Sequence, residues 1–250
     1  MIDLCLNGKV AIVTGASRGL GRAIAIALAE QGVRVLAVAR SVDALEQLQA
    51  TAGENIATEQ CDMLDADKVA TLPQLAIAAL GGLDIVVNNA GIAPAGKFLQ
   101  QEQQVWDDVM AVNVTAPAIL SRAAGEHLLR QGHGKIINIA STSGILGKAA
   151  LVAYSASKGA LLQFTKALAA EWADQGVQVN AIAPGAFATT AQQAVLDSPD
   201  ILQRRLRKIP AGRMGLDGEI GPLVCYLASG AADFVTGSVF VIDGGESSKL

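Results

Sequence analysis

The sequence predicts an α/β fold in which a parallel sheet is covered by helices on both faces. Short apolar runs rich in β-branched residues alternate with amphipathic stretches along all 250 residues. This alternation is typical of buried parallel strands joined by helices. Turns rich in glycine and asparagine follow several of the runs. No repeat or linker divides the chain, so we expect a single domain over residues 1–250.

Composition restricts the classes of function. Hydrophobic residues make up 51% of the chain and the formal net charge is -4, which differs from the basic surplus of most nucleic-acid binders. No run approaches the roughly 18 apolar residues of a membrane span, and the N-terminal residues do not resemble a secretory signal. The three cysteines are widely spaced, which favours a reducing compartment. We therefore expect a cytoplasmic protein without nucleic-acid or membrane partners.

Seven short apolar runs are predicted to be strands, since each is bounded by glycine, proline or polar residues. They are Lys9–Thr14, Val33–Ala39, Ile56–Gln60, Leu83–Gly91, Lys135–Ala140, Val177–Ala183 and Ser238–Ile242. The stretches between them with helical periodicity are Arg22–Gln31, Val42–Ala52, Asp65–Leu80, Gln104–Arg130, Val152–Asp174 and Gly218–Ser229. Residues 186–211 have weak periodicity, and we interpret them as a lid over the site.

A glycine-rich loop, Thr14-Gly-Ala-Ser-Arg-Gly-Leu-Gly21, follows the first strand and precedes a helix. In this context a glycine pattern predicts phosphate binding. The glycines permit a tight turn and a close approach of the backbone, and the helix N-terminus supplies free N–H groups. The spacing of Gly15, Gly19 and Gly21 differs from the common G-x-G-x-x-G pattern. The alternative is a plain structural turn.

The end of the second strand bears on the choice of dinucleotide. An acidic residue near this point holds the ribose 2′-hydroxyl in many dinucleotide folds, but here the strand ends in Ala39 and Arg40. Arg18 in the glycine loop could face the same point. With Ser17 and Ser41, the two guanidinium groups would suit a 2′-phosphate. The alternative is that both arginines are solvated loop residues.

Polar residues follow the next two strands and interrupt a helix. Asp62 either accepts a hydrogen bond from an adenine amino group or caps the helix that starts near Asp65. Asn88 and Asn89 are expected to tie neighbouring strands together where the sheet opens. Asn113 is a poor helix former within a predicted helix, so we expect it to hold a bend or to bind a water.

The most informative stretch runs from Ser141, at the end of the fifth strand, to Lys158 in a long helix. Tyr154 and Lys158 would lie one helical turn apart on the same side. A free tyrosine hydroxyl has a pKa of about 10, and a nearby ammonium group lowers that pKa. With Ser141 holding a substrate oxygen, the three side chains suit proton transfer to an alcohol or a carbonyl. The alternative is an aromatic ring packed under a lysine stem.

Together these pieces resemble the short-chain dehydrogenase/reductase family over nearly the whole chain. The matching pieces, in the family's order, are the glycine loop, Asp62, Asn88-Asn-Ala-Gly91, Asn113, Ser141, Tyr154-x-x-x-Lys158 and Pro184-Gly185. The resemblance implies a Rossmann-type, doubly wound domain with seven parallel strands. It also implies an NADP(H)-dependent oxidoreductase that interconverts a ketone and a secondary alcohol by hydride transfer.

The resemblance implies a role for each residue of the proton-transfer site. Tyr154 would be the general acid in reduction and the general base in oxidation. Lys158 would bind the nicotinamide ribose and lower the tyrosine pKa. Ser141 would orient the substrate oxygen, and Asn113 would hold a water that connects Lys158 to solvent. No metal site is expected, because neither His127 nor His133 has a ligand partner at useful spacing.

The resemblance also implies a set of cofactor contacts. Asp62 would meet the adenine, Asn89–Gly91 would flank the adenosine ribose, and Thr189 would meet the carboxamide. The arginines at positions 18 and 40 resemble those of NADP-preferring members. The full set is Gly15, Ser17, Arg18, Gly19, Leu20, Gly21, Arg40, Ser41, Asp62, Met63, Asn89, Ala90, Gly91, Tyr154, Lys158, Pro184, Gly185 and Thr189.

The substrate is less readable than the reaction. Asn138-Ile-Ala-Ser141 and the C-terminal third are similar to gluconate 5-dehydrogenases, and the chain also resembles 3-oxoacyl-carrier-protein reductases. In the latter a basic residue often stands where this chain has Gln175. An alternative of another class is a regulator that binds NADP without turnover, which the intact Ser141, Tyr154 and Lys158 set argues against.

Two further expectations concern surfaces. Arg204, Arg205, Arg207 and Lys208 form a basic cluster that either steers an anionic substrate or, as we favour, is a solvated helix face. The two longest predicted helices carry more apolar residues than one sheet face needs. Because family members pair these helices, we expect a homotetramer, with a dimer as the second choice.

Overall fold

The structure is a computed structural model that describes residues 4–248, apart from the side chain of residue 191. Both ends of the predicted domain, 1–250, therefore lie outside the described residues. Within the described part of the chain, seven parallel strands form one sheet in the order β3-β2-β1-β4-β5-β6-β7. The strands are β1 Val10–Thr14, β2 Arg34–Ala39, β3 Ile56–Gln60, β4 Ile85–Asn88, β5 Gly134–Ile139, β6 Val177–Pro184 and β7 Val239–Ile242. The predicted doubly wound sheet is confirmed.

Helices cover both faces of the sheet. They are α1 Gly19–Glu30, α2 Val42–Ala52, α3 Ala66–Leu80, α4 Gln103–Met110, α5 Ala116–Gln131, α6 Ser143–Leu146, α7 Val152–Trp172, α8 Gln193–Leu196, α9 Pro199–Leu206 and α10 Gly221–Ala228. None of the helices in this described part combines the length and the apolarity needed to cross a bilayer.

Two hydrophobic cores lie on opposite faces of the sheet. Successive side chains of a strand point to opposite faces, so Ala11 and Val13 of β1 enter one core and Ile12 enters the other. Helices α1, α2 and α10 close the first core. Helices α3, α5 and α7 close the second core. The five inner strands are buried on both sides, which explains why they read as continuous apolar runs.

The predicted continuous helix Gln104–Arg130 is wrong in one detail that matters for the site. A single π-helical turn, Ala111–Thr115, separates α4 from α5. A π turn accommodates one extra residue in a helix and is common at functional sites. Asn113 lies within this turn and is fully buried. Asn113 therefore lies at an irregularity of the helix, and its role in holding a bend or binding a water stays a prediction.

Residues 186–211 fold into short helical pieces rather than an irregular loop. A 3₁₀ turn at Thr190–Gln192 leads into α8, and α9 follows. Leu202 and Leu206 pack against a small core that includes Ile209 and Met214. The segment is thereby attached to the rest of the domain through its own apolar side chains.

Candidate active site

A cleft of about 1390 Å³ opens at the carboxyl ends of the strands. It lies beside β1 and β4, which are neighbours in the sheet although β2 and β3 come between them in sequence. Ligands of open α/β sheets bind at this reversal of strand order. Every residue in the predicted cofactor set lines the cleft, and so does Ser141. Asn113 is the one predicted site residue outside its lining.

The glycine loop is fixed to the end of β4 by hydrogen bonds. Thr14 Oγ1 accepts from the backbone N–H groups of Asn89 and Ala90, both at 3.0 Å. The Asn89 amide Nδ2 donates to the carbonyl of Thr14 at 2.9 Å and to that of Gly15 at 3.3 Å. The side chain of Asn89 therefore holds the glycine loop in place. Asn89 also lines the cleft, so a bound ligand could still contact it.

The close packing of the loop explains two of its glycines more directly than ligand approach does. A Cβ atom on Gly21 would lie 2.2 Å from the Gly15 carbonyl oxygen and 2.3 Å from Asn89 Nδ2. A Cβ atom on Gly15 would lie 2.9 Å from the Ala90 Cα. Gly19 differs, because its φ is +54° and a Cβ there would lie 3.4 Å from the Thr189 side chain. Of the three glycines, Gly19 best fits the expected approach of a bound phosphate.

A buried amide network supports the floor of the cleft. Asn88 Nδ2 donates to Asn138 Oδ1 on the neighbouring strand at 2.8 Å and to Ser121 Oγ at 3.2 Å. Asn138 Nδ2 donates to Thr165 Oγ1 on α7 at 2.9 Å. The prediction that the amides after β4 tie neighbouring strands together is confirmed.

One end of the cleft carries the residues predicted to face a 2′-phosphate. Arg40 is exposed, and its Nη1 lies 3.9 Å from Asp62 Oδ2. Ser41 Oγ accepts from the N–H of Ala44 at 3.4 Å, which caps α2. The alternative that Asp62 caps the next helix is wrong, because Asp65 Oδ1 accepts from Lys68 N at 3.0 Å and is the cap. Asp62 instead closes a tight turn by accepting from Leu64 N.

The other end brings the three predicted catalytic side chains together. The hydroxyl group of Ser141 lies near that of Tyr154 and acts to lower the tyrosine pKa. Lys158 lies beneath the tyrosine, with its Nζ 5.8 Å from the centre of the ring. Ser141 Oγ also accepts from the N–H of Ser143 at 3.1 Å, which fixes the direction of the hydroxyl. Tyr154 and Lys158 therefore lie one turn apart on α7, as the sequence predicts.

The electrostatics of this cluster differ from the expectation. Lys158 is almost fully buried, and its Nζ donates to the carbonyl of Ile139 at 2.7 Å. Burial lowers the pKa of Lys158 to about 8. Burial also raises the pKa of Tyr154, and the Ser141 hydroxyl partly opposes that rise. The predicted lowering of the tyrosine pKa by Lys158 is thus not seen, because burial dominates and only Ser141 opposes it.

Asn113 supports the cluster from behind. Its Oδ1 accepts from Ile92 N and its Nδ2 donates to the Ile92 carbonyl, both at 2.9 Å. Its Nδ2 also donates to Ser157 Oγ at 3.0 Å, and Ser157 Oγ–H donates to the Tyr154 carbonyl at 2.8 Å. Asn113 is thereby linked through Ser157 to the backbone of the turn of α7 that carries Tyr154.

Sequence reasoning missed Ser157 and part of the substrate side of the cleft. Ser157 is fully buried between Tyr154 and Lys158, and a small polar residue on the inner face of a helix is the available signal. Lys148 and Glu246 also line the cleft, although nothing in their local sequence distinguishes them from surface charges. Of the four-residue basic cluster, Arg205 and Lys208 line the cleft, and Arg204 and Arg207 do not.

Comparison with known proteins identifies the family. The family profile described as enoyl-(acyl carrier protein) reductase matches residues 15–247. The chain is 40% identical over 244 residues to 2-dehydro-3-deoxy-D-gluconate 5-dehydrogenase of Dickeya dadantii (strain 3937), with 96% of each chain covered. The chain belongs to the short-chain dehydrogenase/reductase family. It is therefore an NAD(P)-dependent oxidoreductase that acts on CH–OH groups.

Two further relatives show how much substrates vary in this family. The 3-oxoacyl-[acyl-carrier-protein] reductase FabG of Vibrio cholerae serotype O1 (strain ATCC 39315 / El Tor Inaba N16961) is 36% identical over 240 residues, covering 96% of this chain and 98% of that protein. A crystal structure from Beutenbergia cavernae, described as an NAD(P)-dependent gluconate 5-dehydrogenase with NADP bound at low occupancy, superposes with a TM-score of 0.92. It is 35% identical, covering 99% of this chain and 100% of that chain.

The buried amine of Lys158 predicts a pH-dependent stability of this dehydrogenase. The lysine pKa is about 8 in the folded protein and near 10.5 when unfolded, so between these values the unfolded state binds more protons. The free energy of unfolding should then rise with pH. Urea unfolding of the cofactor-free protein at pH 8 and pH 10 should give wild type a gain of about 2 kcal/mol relative to Lys158→Met.

A matched control uses a lysine on the same helix. Lys166 is exposed on α7, so Lys166→Met should follow the wild-type pH dependence. Parallel pH dependences for wild type and Lys158→Met would contradict the lowered lysine pKa.

Proposed function

We propose that this enzyme interconverts a ketone and a secondary alcohol with NADP(H), using Ser141, Tyr154 and Lys158 for proton transfer. The observation that supports this most directly is the convergence of the three side chains on one part of the cleft, where the Ser141 hydroxyl acts on that of Tyr154. Two adjacent hydroxyl groups offer a carbonyl oxygen both a positioning contact and a proton donor.

The residues present fit a dinucleotide. The cleft is larger than the roughly 300–1,000 Å³ of common small-molecule sites, which leaves room for a cofactor and a substrate side by side. The glycine loop leads directly into α1. The first N–H groups of that helix would face an anion bound at its N-terminus. Bound NADP(H) supplies or accepts the hydride. Arg18, Gly19 and Thr189 would hold its phosphates and carboxamide.

The chain's own residues would handle the proton. In reduction, Tyr154 Oη–H donates its proton to the substrate oxygen while Ser141 holds that oxygen in place. A tyrosine pKa raised by burial keeps the phenol protonated over the neutral range, which suits a proton donor. A Lys158 pKa of about 8 leaves the amine able to give or take a proton near neutrality. Lys158 can therefore return a proton to Tyr154 after the reaction. Lys158 would also bind the nicotinamide ribose.

A sugar-acid dehydrogenase similar to gluconate 5-dehydrogenases is the favoured substrate assignment. The relatives named for gluconate derivatives support it, at 40% and 35% identity. A 3-oxoacyl-carrier-protein reductase is the second candidate, favoured by the relative from Vibrio cholerae. The turn before β6 carries Gln175, a neutral residue on the surface, which gives an acidic carrier protein no charge to contact at that point. An NADP-sensing regulator without turnover, the alternative of another class, is disfavoured by the dehydrogenase relatives and by the intact Ser141, Tyr154 and Lys158 set.

Removal of the Tyr154 hydroxyl tests the assigned chemistry. Tyr154→Phe should bind NADPH normally, because the hydroxyl is placed at the substrate end of the cleft. Its kcat should fall by ~10²- to ~10⁴-fold, the usual contribution of a general acid. Steady-state NADPH oxidation with a panel of ketones, keto acids and acyl thioesters gives the rate, and fluorescence titration gives the cofactor affinity.

The second tyrosine of the chain supplies the control. Tyr226 lies on α10 and does not line the cleft, so Tyr226→Phe should keep wild-type turnover. Near-normal turnover by Tyr154→Phe would sink the assignment. NADPH binding by wild type without reduction of any compound in the panel would instead favour the regulator.

The charges at the adenosine end predict a preference for NADPH over NADH. Arg18 and Arg40 would each form a charge-assisted hydrogen bond to the 2′-phosphate, and such bonds contribute roughly 1.5–3 kcal/mol. The combined change Ala39→Asp and Arg40→Leu should shift the ratio of kcat/KM for NADPH over NADH by ~10- to ~100-fold toward NADH. Arg34→Leu, at the opposite end of β2, should leave that ratio unchanged. Equal use of both cofactors by wild type would contradict the proposal.

A homotetramer is proposed for the assembly, and the cytoplasm for the location. Ala160, Phe164 and Leu168 form a partly exposed apolar stripe along α7, and Phe234 is fully exposed near the edge strand β7. Closed symmetry would cover both surfaces. Multi-angle light scattering at micromolar concentration should give the mass of four chains, and the mass of one chain would contradict the proposal.

The cytoplasmic proposal is supported by the thiols of Cys61 and Cys225, which are free and buried.

A further inference from the structure

Three cationic side chains gather on the substrate side of the cleft. Lys148 lies in the loop between α6 and α7, Arg205 near the end of α9, and Lys208 just beyond that helix. All three line the cleft and act on one another electrostatically. Glu246, in a 3₁₀ turn near the end of the described residues, lines it beside them.

Arg205 is already paired. Its Nη1 lies 2.6 Å from Glu246 Oε1 and its Nη2 donates to Oε2 at 2.7 Å. This two-point contact fixes the guanidinium group, and both side chains are less than a fifth exposed, at 18% and 15%. The pair therefore holds α9 to the C-terminal turn and neutralises most of the arginine charge toward the cleft.

The two lysines have no such partner. Among residues 4–248, neither the Lys148 nor the Lys208 amine makes an ion pair. Burial lowers the pKa of Lys148, and the charges of Arg205 and Lys208 lower it further against the opposing charge of Glu246. Both lysines are exposed along the cleft, and the positive charges of Arg205 and Lys208 repel that of Lys148, which is an electrostatic cost. An anion bound there would relieve that cost.

The rest of the basic cluster is a solvated helix face. Arg204 is exposed and its Nε donates to the carbonyl of Asp200, one turn earlier, at 3.2 Å. Leu202 and Leu206 turn inward. The favoured interpretation of the cluster therefore holds for Arg204. It does not describe Arg205, which is largely buried against Glu246, whereas Lys208 is exposed and also lines the cleft.

The lysine loop is held in a fixed relation to the proton-transfer site. The backbone N–H of Lys148 donates to Ser155 Oγ at 3.1 Å, and Leu151 N donates to the Lys148 carbonyl at 3.1 Å. Ser155 is the neighbour of Tyr154 in α7. A charge bound by Lys148 would thus be placed at a set distance from the reacting hydroxyl, on the same molecule of substrate.

We propose that Lys148 and Lys208, with Arg205 held by Glu246, form a subsite for the carboxylate of the substrate. The inference rests on the proposed function and narrows it to hydroxy acids and their keto acids, with the carboxylate remote from the reacting carbon. The subsite also makes Lys148 and Lys208 specificity-determining residues, since they distinguish an acid from a neutral polyol of the same length.

Matched neutral and anionic probes test the subsite. D-Gluconate and D-gluconamide differ in charge at one end only, and both can be titrated into the enzyme–NADP⁺ complex by calorimetry. Wild type should bind gluconate at least tenfold more tightly than gluconamide. Lys148→Gln combined with Lys208→Gln should remove that preference and leave gluconamide binding within twofold. The preference should also fall as salt is raised from about 0.05 to about 0.5 M.

Controls separate the subsite from general charge and from the proposed reaction. Arg204→Gln, on the solvent face of α9, should keep the full preference for gluconate. Equal or absent binding of the two probes by wild type, or an unchanged preference in the double variant, would overturn the subsite. A preference confined to 4′-phosphopantetheine over pantetheine would overturn the carboxylate and indicate a phosphate. Either result leaves the Tyr154 test intact, so the proposed reaction can stand or fall separately.

Discussion

The attachment of the glycine loop to the end of β4 is the constraint on which the rest of the site depends. The cleft opens beside the carboxyl ends of β1 and β4, and Thr14 and Asn89 hold the glycine loop across those ends. The absence of a side chain at Gly21 permits this contact, since a Cβ there would meet both the loop and the asparagine. The position of α1, and so of its anion-binding N-terminus, follows from it.

A second consequence is that polar groups, rather than apolar packing, set the geometry of the reacting end. Asn88, Asn138 and Thr165 connect β4, β5 and α7 through buried hydrogen bonds. Asn113 and Ser157 do the same for the π turn and α7. Such networks are stable only when every member is satisfied, and among the described residues no buried side-chain nitrogen or oxygen lacks a partner. These hydrogen bonds therefore fix both the orientation of the α7 turn that carries Tyr154 and its position relative to the sheet.

The sequence predicts the sheet and the proton-transfer cluster well, because both leave short-range patterns. Buried parallel strands read as apolar runs, and Tyr154 and Lys158 share a helix face through their spacing alone. The pKa values of Tyr154 and Lys158 are harder to predict from sequence. The burial of Lys158 depends on β5 and on Ile139, which lie at a distance from it in the sequence. The charges around Lys148 illustrate the same limit. These charged residues come from three separate segments of the chain. One of them, Glu246, lies almost a hundred residues after Lys148 in the sequence.

The π turn at residues 111–115 has a consequence for how this segment can vary. The extra residue rotates α4 by about 100° relative to the end of a regular helix, which is the angle of one residue at 3.6 per turn. A deletion of one residue here would restore regular helical hydrogen bonding and look harmless in an alignment. It would also turn the apolar side of α4 away from its neighbours and withdraw Asn113 from Ile92. The contacts of α4 and Asn113 therefore depend on the number of residues in this stretch as well as on their identity.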